Sequence, residues 1–90
     1  MLMRLKNLME DEVMYVTNEL LSEREDVCKC QKCKLDIAAI ALNALSPKYV
    51  VTEIGELLGR ANNSNIQFEA DVITEVTKAI DVVKNSPHHD

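Results

Sequence analysis

Three cysteines fall within six residues, Cys28-Lys29-Cys30-Gln31-Lys32-Cys33, and the ninety-residue chain has no others. This spacing gathers three sulfurs on about one turn of backbone, an arrangement suited to a soft cation. A structural zinc site is closed and tetrahedral, so it takes a fourth protein ligand. With no fourth cysteine, that ligand falls to the only two histidines, His88 and His89, at the C-terminal end. Either one would tie the end of the chain back to its first third. His89 is the expected ligand and His88 the alternative, because the residue directly after Pro87 is more constrained and the next has freer reach.

Other chemistries compete for the same residues. A disulfide would leave one thiol over, and no signal peptide precedes the cluster to argue for an oxidising compartment. A redox motif more often accompanies a βαβ pattern, and no strand-rich segment stands out. A terminal His-His also occurs as the remnant of a purification tag, although a genuine tag is usually a longer run. Structural zinc is therefore the first reading, redox-active or regulatory thiols the second, and inert cysteines the third. Catalytic zinc is disfavoured, because it needs an open position and three thiolates quench its Lewis acidity.

Length makes the metal more useful still. Ninety residues form one domain, taken here as 1–90, and a chain this short buries only about 60–65% of its unfolded surface. Small domains commonly add a metal or a second subunit, and structural zinc in small peptides contributes on the order of 10–16 kcal/mol in apparent binding energy. With two Tyr, one Phe and no Trp, the core must be aliphatic. No apolar run approaches the roughly 20 residues of a membrane span, and a reducing cytoplasm is the expected location.

The net charge of −5 is unevenly spread. Residues 1–27 and 51–90 each carry three basic and seven acidic side chains, whereas residues 28–50 carry four Lys and a single Asp. Three thiolates, a zinc ion and a neutral His make a −1 site, which Lys29, Lys32 and Lys34 would compensate. The same basic island also reads as an anion-binding surface. The acidic arms argue against non-specific binding to duplex DNA, which needs a broad basic face.

Apolar periodicity predicts four helices. The first spans 2–23, with Leu2, Leu5, Leu8, Met9, Val13, Val16, Leu20 and Leu21 as its stripe, read equally as core or as a dimer seam. Residues 24–34 form a loop or metal-bound turn. The second helix, Leu35–Leu45, is apolar almost all round and is expected at the centre, with Asp36 and Asn43 on one shared face. Ser46-Pro47 reads as a helix restart, giving a third helix from Pro47 to about Arg60 with Val50, Val51, Ile54, Leu57 and Leu58 inward. Gly55 inside it costs roughly 1 kcal/mol against Ala and suggests a close backbone approach. A polar linker, Gly59 to Asn65, precedes a fourth helix that runs to about Lys84. Ser64 and Gln67 form a capping box there, and Phe68, Val72, Ile73, Val76, Ala79, Ile80 and Val83 face inward. The expected fold class is all-α, a small bundle of about four helices, packed roughly antiparallel.

The run Cys28-x-Cys30-x-x-Cys33-x-x-Asp36-Ile37-Ala38-Ala39-Ile40-Ala41-Leu42-Asn43-Ala44-Leu45-Ser46-Pro47-Lys48-Tyr49-Val50 resembles the bacterial late-competence ComFB family. Asn7-Leu8-Met9-Glu10-Asp11-Glu12-Val13 is similar to that family's N-terminal helix. The resemblance implies a small all-α homodimer. Some members of the family bind zinc through the cysteine cluster, with a fourth cysteine near the C-terminus where this chain offers His88 and His89. It also implies a cytoplasmic regulatory protein. The family includes receptors for cyclic di-GMP and cyclic di-AMP and is associated with competence and motility.

A cyclic dinucleotide is two-fold symmetric, so a two-fold dimer suits it, each subunit offering the same groups to each half. Phosphate favours a cation and free backbone N–H groups at a helix start, which Pro47-Lys48-Tyr49 would supply. Tyr49 or Arg24 would stack on a purine, Asp36 would accept from guanine N1 and N2 hydrogens, and Asn43 would contact either base. Asp36, Lys48 and Tyr49 lead this set, followed by Asn43, Lys34 and Arg24. The plainer readings are a capping Asp36, a solvated Lys48 and Asn43, and a core or interface Tyr49. No nucleophile–base pair, phosphate loop or carboxylate dyad points to an enzyme. The rival functions are a competence adaptor that binds only proteins, a thiol redox switch and a nucleic-acid-binding zinc module.

Overall fold

Asn7 sets where the first helix begins. The computed structural model describes residues 3–62 and 66–86, and its first helix, α1, runs Leu8–Ser22. Asn7 is its N-cap, with Oδ1 accepting from the Met9 N–H at 3.1 Å and from the Lys48 N–H at 2.9 Å. Residues Lys6–Asn7 are extended and form a strand, β1, antiparallel to β2, Tyr49–Val50, with Lys6 opposite Val50 and Asn7 opposite Tyr49. The all-α expectation holds in its main part: the protein is mostly helical, with four helices among the described residues, and carries in addition a short two-stranded ladder. Leu5, expected in the helical stripe, lies before the cap and is exposed.

The second helix, α2, runs Gln31–Ala44 and so starts earlier than expected, because Cys30 caps it. The Cys33 N–H donates to Cys30 Sγ at 3.4 Å and the Lys34 N–H to the Cys30 carbonyl at 3.0 Å. The chain becomes extended at Leu45 (φ −107°, ψ 148°), two residues before Pro47.

The restart expected at Ser46-Pro47 does not occur there. Tyr49, Val50, Val51 and Thr52 are β-branched or aromatic and resist helix; Tyr49–Val50 form β2, Thr52 lies in a bend, and the third helix, α3, spans Glu53–Asn62. Thr52 opens it: Oγ1 accepts from the Gly55 N–H at 3.0 Å and its carbonyl from the Glu56 N–H at 2.9 Å. The expected inward face is not inward. Val50 is half-buried, whereas Val51, Ile54, Leu57 and Leu58 are exposed. Gly59, expected in the linker, lies inside α3 and is buried: a Cβ there would sit 2.5 Å from Leu8 Cδ1. A ring of ion pairs reinforces that contact. Lys6 Nζ meets Asp11 at 2.9 Å and Glu56 at 3.1 Å, and Arg60 meets the same two carboxylates at 3.0 and 2.9 Å. These cations hold both carboxyls below their ordinary range.

The fourth helix, α4, runs Ile66–Asn85. It packs with α1 and α2 around Val13, Leu21, Cys33, Ile37, Ala41, Val72, Val76, Ala79 and Ile80, while α3 lies outside this three-helix core. Its inward residues are as expected except Ile73, which is exposed. Ser64 of the expected capping box lies outside the described residues, and the Gln67 side-chain amide donates to Asp71 instead, at 2.8 Å. The outer side of α2 leaves Leu35 and Ile40 exposed, so that helix is central without being wholly buried. Among the described residues no helix is long and apolar enough to cross a membrane.

Candidate metal centre

The loop from Glu23 to Cys30 joins α1 to α2 and carries two of the three cysteines. Cys28 and Cys30 are exposed, whereas Cys33, one turn into α2, is fully buried in the core. All three are free thiols, and their sulfurs lie within 4.8 Å of one another. A tetrahedral zinc with Zn–S bonds of about 2.3 Å sets its sulfurs about 3.8 Å apart. A small contraction of this triangle therefore accommodates the ion, and the donor set fits a soft dication.

Electrostatics points the same way. Removal from water, with Cys28 and Cys30 alongside, pushes the Cys33 thiol up to about 12. Three sulfurs this close cannot all lose their protons without a counter-charge. A dication supplies it and takes the protons' place.

The end of α4 meets this loop. Asp26 accepts from Arg24 Nη2 at 2.9 Å and from Lys84 at 2.7 Å, and Arg24 also approaches Asp81 at 3.7 Å. The two cations hold the Asp26 carboxyl well below its usual range. Lys84 belongs to the last turn of α4, so the chain leaves that helix beside the cysteine loop. His88 and His89 lie outside the described residues.

The expected ligand residues divide between two ends of the molecule. At the cysteine end, Asp36 accepts both bonds from Lys32 Nζ, at 2.7 and 2.9 Å, Arg24 is committed to Asp26, and Lys34 is half-buried in the first turn of α2. Asn43 is exposed at the far end of α2, about 10 Å along the axis from Asp36. Lys48 and Tyr49 lie beyond it. They do not open a helix: Tyr49 is in β2, and the Lys48 N–H is spent on Asn7. The helix-start cradle expected for a phosphate is thus absent at Pro47-Lys48-Tyr49.

Lys48 does border a cavity of about 630 Å³, floored by Met9, Leu45 and Phe68 and walled by Asp71 and Glu75 of α4. Sequence reasoning missed the α4 side of this cavity. The one available signal was Phe68, the sole phenylalanine, followed by acidic residues at helical spacing.

Residues 6–87 match the family model described as late competence development protein ComFB. The solved structure of the late competence protein ComFB from Bacillus subtilis superposes with a TM-score of 0.83, at 25% identity, covering 94% of this chain and 93% of that one. No curated protein sequence matches the chain.

Proposed function

The chain belongs to the late-competence ComFB family, and from that premise we propose that it is a zinc-stabilised homodimer serving as a cytoplasmic regulatory receptor for a cyclic dinucleotide. It binds and signals rather than catalyses. Cys28, Cys30 and Cys33 with His89, or His88 in its place, would hold the zinc. When bound, the ion supplies a cross-link and counter-charge rather than a reactive centre. The supporting observations are the sulfur triangle and the ion pair that joins the last turn of α4 to Asp26 in the cysteine loop.

The observation that carries the dimeric receptor reading is the outer face of α3. Ile54, Leu57 and Leu58 are 60, 69 and 63% exposed, with Val51 beside them in sequence and exposed as well. A contiguous apolar face of this kind on a small acidic chain favours a partner surface. A second copy related by a two-fold axis would cover it and bring two Lys48–Tyr49 pairs toward that axis, a symmetry that a cyclic dinucleotide shares. Tyr49 is exposed, as a stacking ring must be. The carboxylates of Asp71 and Glu75 disfavour a phosphate deep in the neighbouring cavity, so the phosphates fall to the Lys48–Tyr49 edge. Asp36, Asn43, Lys34 and Arg24 are secondary candidates along and beside α2.

Melting the zinc-loaded protein with cyclic di-GMP, cyclic di-AMP and linear dinucleotides tests this directly. A selective rise in Tm with one cyclic ligand is expected, and Lys48→Ala should reduce it. No shift with any of them rejects the receptor. That outcome would favour the second reading, a zinc-stabilised adaptor of the competence machinery that binds proteins only. Two observations support the adaptor: Asp36 already has Lys32 as its partner, and Leu35 and Ile40 add exposed apolar surface on α2.

A further inference from the structure

We infer that Cys30 and Cys33 form a hydroperoxide-responsive thiol couple, whose closure to a disulfide expels the metal. The expulsion rests on the metal reading above; the couple itself rests on where α2 places the two sulfurs. Cys30 is the N-cap and is exposed, whereas Cys33 is the third residue of the helix and is fully buried. The Cys33 N–H points at the Cys30 sulfur from 3.4 Å, and the Lys34 N–H fixes the Cys30 carbonyl at 3.0 Å, so one helical turn sets the spacing of the pair. Residues three apart on a helix have Cα atoms about 5 Å from each other, inside the range of about 4.4–6.8 Å that a disulfide spans. Cys28 is exposed as well, but it sits in the preceding loop and no helical turn holds it at this spacing.

The division of labour follows from exposure. An oxidant in solvent meets Cys30 first, and the buried Cys33 sulfur lies close enough to capture the product before a second oxidation. The Cys30 sulfur attacks the outer peroxide oxygen, the O–O bond breaks, and an alcohol leaves, giving a sulfenic acid. The Cys33 sulfur then attacks Cys30, the S–O bond breaks, and water leaves as the S–S bond forms. Together, two thiols and one hydroperoxide become one disulfide, one alcohol and one water. In the zinc-loaded protein both sulfurs begin as thiolates, so two protons come from solvent. The ion keeps its oxidation state but loses two of its three sulfur donors.

The sequence makes the test specific. Trypsin cleaves after Arg24, Lys29, Lys32 and Lys34, which puts Cys28, Cys30 and Cys33 on three different peptides. Full-length reduced protein is assayed for zinc, then treated with one equivalent of tert-butyl hydroperoxide while a chromogenic chelator reads released metal. It is then alkylated and digested without reductant. A metal-free arm runs in parallel. Release of one zinc per disulfide is expected, with peptide 30–32 linked to peptide 33–34, Cys28 alkylated, and recovery of binding after reduction. Thiols left intact in both arms, sulfinic acid without a disulfide, or a linkage through Cys28 overturns the couple. A disulfide that forms only in the metal-free arm overturns expulsion. A chain that takes up no zinc yet closes the same bond refutes the metal reading and keeps the couple.

Discussion

Thr17 is the one buried side chain among the described residues whose polar atom has no partner. Its hydroxyl sits on the core face of α1, in the run that also buries Val13 and Leu21. An unpartnered buried hydroxyl costs about 1–3 kcal/mol, and valine has nearly the same shape. Thr17→Val is therefore expected to raise stability by about 1 kcal/mol, read as a higher denaturant midpoint at unchanged slope. A lower midpoint would mean that the hydroxyl has a partner, such as an internal water. The cysteines were legible at this scale, because three soft donors in six residues admit few explanations. Their unequal roles were not. Only the helix start at Cys30 sends Cys33 into the core and leaves Cys28 and Cys30 at the surface.

Among the elements, α3 diverges most from its sequence pattern. Ser46-Pro47 carries a helix-start signature, but Tyr49, Val50, Val51 and Thr52, which follow Lys48, are aromatic or β-branched and prefer extended chain, and pairing with β1 holds Tyr49 and Val50 there. Lys6–Asn7 is a two-residue strand, too short to read from alternation, and the bond from the Lys48 amide to Asn7 spans 41 positions. By contrast, α4 was legible, because its apolar periodicity is sustained over many turns and no competing turn signal interrupts it. The two glycines of α3 make opposite predictions. At Gly59 an added Cβ meets Leu8 Cδ1 at 2.5 Å, a contact the packed core resists. Gly59→Ala should cost about 1–3 kcal/mol. At Gly55 the nearest atom is the Thr52 hydroxyl at 3.2 Å, which can shift slightly, and helix propensity favours Ala by up to about 1 kcal/mol. Gly55→Ala should be near neutral. Thermal melts of the two variants decide it, and an equal loss in both would contradict this packing of α3 on α1.

For the whole molecule, a three-helix core of aliphatic side chains carries two appendages, the α3 arm at one end and the cysteine loop at the other. Each appendage leaves part of its surface to solvent, Cys28 and Cys30 in the loop and Ile54, Leu57 and Leu58 on α3, and the proposed metal and second copy would cover those parts. The helical class was legible from composition and periodicity, and the family from the resemblance carried by the Cys28–Val50 run. The outward turn of Ile54, Leu57 and Leu58 was not, because periodicity gives an apolar face without saying whether its own core or another molecule covers it. Leu57→Glu should convert a dimer to a monomer in sedimentation while leaving helicity intact. A wild-type protein that sediments as a monomer would contradict the dimer.

Elemental analysis of freshly purified, fully reduced protein tests the central claim most directly. One zinc per chain is predicted, falling below half that value in Cys30→Ser together with a lower Tm. A wild-type chain that holds no transition metal, yet keeps its helicity and melts at the same temperature with or without chelator, would contradict it.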